Sequence, residues 1–199
     1  MPVKTTISYT EGIFSVTFTC TKWLPLIEAV NGYDIIYHWF DYLKSKGHYI
    51  AGYVIMPNHL HVVIGFRKTS QSINTIIGNG KRFMAYKIVE RLKAKDDTAL
   101  LRRLSRHVET RRKENNKKHD VWELSFDWKK CESEEFILQK LDYFYMNQYK
   151  GKWNLCASPV DYEHSSAKYY ATGEQGIYEV TGYAALMDID LTVERRDNK

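Results

Sequence analysis

This 199-residue sequence predicts an α+β domain: an antiparallel sheet with helices packed on one face. Three observations carry that expectation. Segments of alternating bulky and small residues are separated by segments of helical spacing, in the order β-α-β-β-α, a charged insert, then β-α. Two of the apolar strands are joined by Pro57-Asn58 alone, a turn signal that makes them a hairpin. Hydrophobic residues make up 44% of the chain and aromatics 14%, enough at this length to bury a core without staples.

The elements follow in order. Phe14 to Thr21 is rich in β-formers and reads as a strand, closed by Pro25. Tyr33 to Lys44 places Ile36, Trp39, Phe40 and Leu43 at helical spacing, and Gly47 supplies a stop. Tyr49 to Met56 and His59 to Phe66 are the hairpin strands. Ser72 to Lys93 is helical, with Gly78-Asn79-Gly80 expected to interrupt it. A charged stretch, about 94–120, reads as a second helix plus a loop, and Val121 to Trp128 as a fourth strand. Ser133 is an N-cap, with Glu134 and Glu135 in the first turn of a helix reaching about Tyr149. The expected domain is 1–170, with 171–199 an appended extension.

Charge and cysteine content narrow the function. Net charge is +5, yet residues 81–118 carry 14 Lys and Arg against 5 Asp and Glu, which leaves the rest of the chain near −4. Such a segment suits a polyanion, nucleic acid being the commonest, or is a solvated helix face. No apolar run approaches the roughly 20 residues of a membrane span, so no membrane partner is expected. The first residues lack the apolar core of a signal peptide. Three widely spaced cysteines without metal-site spacing suit a reduced intracellular protein.

His59 and His61 are two apart on a strand and therefore share a face, while Leu60 enters the core behind them. Two imidazoles at the mouth of a rigid hairpin form a bidentate metal platform. Two unrelated histidines at a strand end remain the plain alternative.

Tyr53-Val54-Ile55-Met56-Pro57-Asn58-His59-Leu60-His61-Val62-Val63-Ile64 resembles the motif of insertion-sequence-200-like transposases. It is most similar to the REP-associated tyrosine transposase branch of the histidine-hydrophobic-histidine (HUH) endonucleases. Phe14 to Thr19, Val121 to Phe126 and Asp161 to Ser166 resemble further stretches of that family. The resemblance implies a ferredoxin-like or RRM-like palm and one catalytic tyrosine on a helix. It also implies metal-dependent cleavage and rejoining of single-stranded or hairpin DNA through a 5′-phosphotyrosine, with no small-molecule substrate.

On the family pattern, a tyrosine followed four residues later by asparagine, Tyr143 is the nucleophile and Asn147 the third metal ligand beside His59 and His61. Tyr145 is the competing tyrosine, and Tyr145 and Tyr149 read as packing or DNA-stacking residues. The family has Pro after the asparagine, whereas Gln148 stands here. The implied ion is Mg²⁺ or Mn²⁺. Lys81, Arg82, Lys87 and Arg91 are the expected DNA-binding residues, while Trp122, Trp128 and Trp153 suit either base stacking or the core. A monomer or homodimer in a prokaryotic cytoplasm, at the nucleoid, completes the expectation.

Overall fold

The computed structural model describes residues 6–106, 108, 118–124, 126–149 and 153–194, with the side chain of Tyr149 left out. Most of the charged loop expected before residue 120, and the stacking role considered for Tyr149, therefore lie outside the described residues.

Strands β1 (Gly12–Thr19), β2 (Tyr49–Met56), β3 (His59–Phe66) and β4 (Asp127–Lys130) form one sheet in the order β2-β3-β1-β4. All neighbours are antiparallel, as the hairpin signal required. The helices are α1 (Leu26–Ala29), α2 (Tyr33–Ser45), α3 (Ile73–Ala94), α4 (Thr98–Arg106), α5 (Glu134–Tyr149), α6 (Ala167–Thr172) and α7 (Tyr183–Met187).

The α+β class and antiparallel sheet hold, but packing on a single face needs correction. Phe14, Val16, Phe18, Leu60, Val62 and Ile64 point to one face, where α2 and α3 cover them. Val54, Met56 and Val63 point to the other, against Ile137, Leu141 and Phe144 of α5. The strands β2 and β3 are buried on both faces, which is why they read as continuous apolar runs rather than alternating ones. That continuity was the signal for a second helical layer.

Two glycines permit these layers to close. β2 carries a bulge between Ile50 and Gly52, and a Cβ on Gly52 would stand 2.3 Å from Leu141 of α5. Gly80 does not break α3, which is continuous; a Cβ there would stand 2.2 Å from the Trp39 indole nitrogen of α2. The fourth strand begins later than expected, at Asp127; in the preceding segment Trp122 forms an isolated bridge with Cys20.

The stretch expected as an appended extension is built into both cores. Tyr178 and Val180 join the α2/α3 side, and Leu186 of α7 packs on Gly65 from the other. Residues 164–166 run along the outer edge of β2, where Ile55 N–H donates to the His164 carbonyl and Ser166 N–H to that of Tyr53. They occupy an edge that would otherwise be open to pairing.

Gly80→Ala is expected to force α3 off Trp39 and to destabilise the fold by about 1–3 kcal/mol. Urea denaturation would read this as a lower midpoint at unchanged slope.

Candidate active site

The register of β1 against β3 pairs Thr17 with His61 and Thr19 with His59. Both histidines thereby face α5, and both are buried. Their rings lie 4.8 Å apart and nearly perpendicular.

Each imidazole is oriented through Nδ1. In His59 it meets Asn58 Oδ1 at 2.6 Å, and in His61 it meets Thr17 Oγ1 at 2.8 Å. Engagement of Nδ1 fixes the ring, so that Nε2 is the nitrogen a metal ion would meet if one were bound, the usual division of labour in imidazole ligands. Burial, followed by the nearby His59 and the Lys140 ammonium, holds His61 well below the ordinary imidazole range. A neutral ring is also what a metal needs.

Asn58 is itself anchored. Its side-chain amide donates to the Trp23 carbonyl at 3.1 Å, and its own carbonyl accepts Cys20 N–H at 2.8 Å. Neither Thr17 nor Asn58 was anticipated as a site residue. The sequence marked Asn58 only as a turn residue, and the role of Thr17 depends on a strand register that no local pattern reveals.

From the other side, α5 starts at its Ser133 cap, whose hydroxyl accepts Phe136 N–H at 3.3 Å. Phe144 stacks on His61 with centroids 4.8 Å apart. One residue earlier, Tyr143 stands edge-on to His61 at 5.7 Å and is 58% exposed. Asn147, one turn further on, places its amide nitrogen 3.2 Å from His61 Nε2. Half a turn of that amide would present its oxygen instead. His59, His61, Tyr143 and Asn147 thus meet within one chain.

The competing tyrosine faces elsewhere. Tyr145 is buried and hydrogen bonded to Ser166 Oγ at 2.9 Å, and burial raises its phenol far above the ordinary range. It packs the second core. Gln148 is fully buried, and its amide donates to the Pro159 carbonyl at 2.7 Å. It ties the end of α5 to the following segment instead of reaching the histidines.

Among the described residues no three His, Cys, Asp or Glu side chains converge on one point. An ion at the histidines would therefore take its third protein donor from the Asn147 carbonyl. Two imidazoles and an amide oxygen, beside an exposed tyrosine, fit a divalent ion that keeps open positions for phosphate oxygens.

The four basic residues do not gather at this site. All stand on α3, across the sheet from the histidines. Lys81 and Arg82 line a cleft of about 940 Å³ together with Tyr86, Lys118, His119 and Trp122. Lys87 and Arg91 lie on the opposite flank of α3, because residues five and nine positions beyond Arg82 turn away from it. Lys87 pairs with Glu90 at 2.9 Å. Arg91 grips Asp34 through its two terminal guanidinium nitrogens, at 2.8 and 2.5 Å, and fastens α3 to α2. A single DNA-facing stripe is therefore not formed. Trp122 is buried, donating its indole N–H to the Lys81 carbonyl at 2.9 Å. Trp128 stacks edge-on to Phe14, and Trp153 packs on the second core.

Against solved structures, the chain superposes over 99% of its length on the whole of a REP-associated tyrosine transposase bound to a REP hairpin, with a TM-score of 0.60 and 12% identity. The chain has that transposase's fold. A transposase candidate from Deinococcus radiodurans R1 aligns over 75% of this chain and all of its own at 16% identity, but at a TM-score of 0.41 it adds nothing to the comparison. No protein-family model and no curated protein matches the sequence. Among the described residues no helix is long and apolar enough to cross a membrane.

Thr17→Val, close to isosteric, is expected to leave His61 Nδ1–H buried without its acceptor. Stability should fall by about 1–2 kcal/mol in urea titration, and long-range ¹⁵N spectra should lose the dominance of one His61 tautomer.

Proposed function

We propose that this chain is a metal-dependent, single-tyrosine DNA transesterase that cleaves and rejoins single-stranded, hairpin-bearing DNA. The observation that carries the reading is the meeting of Tyr143 with His61 and Asn147. The exposed phenol stands edge-on to a neutral, buried imidazole at 5.7 Å, and the amide one helical turn later lies against the same ring. A core aromatic would be buried, as Tyr145 is; Tyr143 is instead positioned where a strand can reach it.

In this reading the Tyr143 oxygen attacks a backbone phosphorus. A Tyr–O–P bond forms, the bond to the 3′ oxygen breaks, and the phenolic proton is lost as the 3′ oxygen gains one. The products are a 5′-phosphotyrosine and a free 3′-hydroxyl. Attack by another 3′-hydroxyl reverses the step and rejoins the strand without a nucleotide cofactor. His59, His61 and Asn147 would hold Mg²⁺ or Mn²⁺, which when bound neutralises charge developing on the phosphate oxygens. Thr17 and Asn58 keep the imidazoles aimed.

The fold shared with a transposase bound to a REP hairpin supports DNA of that kind as the substrate. The proximity of Tyr143 to its own His61 supports a complete site in each monomer. Lys81 and Arg82 remain candidates for phosphate contacts made by DNA passing across the sheet from the histidines, a role that Arg91, paired with Asp34, does not share.

The test is a denaturing gel of hairpin-bearing single-stranded DNA incubated with Mg²⁺ or Mn²⁺. The native chain should form a covalent protein–DNA adduct that chelator abolishes, and Tyr143→Phe should form none. An adduct that survives Tyr143→Phe would reassign the nucleophile. Cleavage without any adduct would make water the nucleophile and overturn the transesterase reading.

A further inference from the structure

A second exposed aromatic stands at the histidines, against His59 where Tyr143 stands against His61. Trp23 is 58% exposed, and its ring lies edge-on to His59 at 5.8 Å. With His59, His61 and Tyr143 it forms a row of four rings in which the outer two are open to solvent and the inner two are buried. Single exposed aromatics are ordinary on a protein surface. Two features set this one apart.

The first is the backbone that carries it. Lys22 and Trp23 have φ of 51° and 57°, so two successive residues with side chains occupy the left-handed region. For a bulky residue that conformation is costly, and it persists only where the surroundings impose it. Here they do so from three directions. Lys22 N–H donates to Glu123 Oε1 at 2.8 Å, Trp23 N–H to the Cys20 carbonyl at 3.0 Å, and the Trp23 carbonyl accepts the Asn58 amide at 3.1 Å.

The second is the identity of that last donor. Asn58 is the residue that orients His59. One side-chain amide thus fixes an imidazole of the site with its oxygen and the backbone of Trp23 with its nitrogen. The backbone that carries the indole is anchored by the same side chain that orients His59, and the ring itself lies edge-on to that histidine.

We infer that Trp23 is a stacking platform for one unpaired nucleobase flanking the phosphate that the histidines and Tyr143 receive. An exposed indole on an anchored backbone suits this use: every base has a π-face, and stacking does not demand a particular sequence. The inference rests on the single-stranded DNA reading of the site but not on the covalent step.

The experiment measures fluorescence anisotropy of hairpin oligonucleotides whose single-stranded flank carries one abasic position at a time, with chelator present to prevent cleavage. The ring is removed by Trp23→Gly, since glycine accepts the left-handed backbone without strain, and is retained by Trp23→Phe. Loss of one stacked base is expected to weaken binding about tenfold. Trp23→Gly should lose that factor on the intact oligonucleotide, and Trp23→Phe should recover most of it. In the native chain one abasic position should cause the same loss, and that position should cause none in Trp23→Gly. The abasic series on the native chain needs no variant to fold. Equal binding by Trp23→Gly and the native chain, or an abasic penalty unchanged in Trp23→Gly, would overturn the inference. A stacking effect without a Tyr143 adduct would refute the transesterase reading while leaving the platform in place.

Discussion

The antiparallel pairing of β1 with β3 sets Thr17 opposite His61 and Thr19 opposite His59. Successive side chains on a strand point to opposite faces, so the same register sends Leu60, Val62 and Ile64 into the core beneath α2 and α3. A slip of one residue would exchange the two sets, burying imidazoles among aliphatic side chains and turning the apolar set toward the site. The core therefore enforces the site: the histidines cannot move off their face without dismantling the packing on the other. Pro57 and Asn58 pin this register at the hairpin, where their carbonyls accept N–H groups from Ile27 and Cys20.

Holding two imidazoles in so dry a place has a cost, and the structure offsets it locally. A buried polar nitrogen without a partner costs about 1–3 kcal/mol, and here both Nδ1 atoms have one, Thr17 for His61 and Asn58 for His59. Phe144 covers the face of His61, and the Asn147 amide meets its Nε2. These contacts make α5 the second half of the site. Gly52 lets that helix approach β2, and Gln148 secures its end through the Pro159 carbonyl. Tyr143 is left exposed on α5, edge-on to His61 of β3.

Much of this could be read from the chain, and the unread parts share a cause. The hairpin, its paired histidines and the helix with Tyr143 and Asn147 are local patterns, legible because strand and helix periods fix which residues share a face. Relations between elements were not legible. Thr17 and Trp23 reach the site through strand pairing and a turn whose geometry no nearby residue announces. Continuous apolar runs in β2 and β3 imply burial on both faces, but they do not say which helix covers each face. Gly78-Asn79-Gly80 carried a breaker composition that Trp39 overrides, since Gly80 is where α2 and α3 touch. The basic residues of α3 illustrate the limit of counting charge. Arg91 is spent on Asp34, and Lys87 on Glu90, both on the flank away from Lys81 and Arg82.

If Tyr143, His59, His61 and Asn147 form an active site, a single chain contains both of its halves. Mixing Tyr143→Phe with His61→Ala, each expected to form no adduct alone, measures this directly, with the native chain as the positive control on hairpin-bearing single-stranded DNA. A site complete within each chain gives no adduct in the mixture at any ratio, because neither variant contributes a whole set. An adduct restored by mixing would mean that the tyrosine of one chain serves the histidines of another, and would contradict the arrangement described.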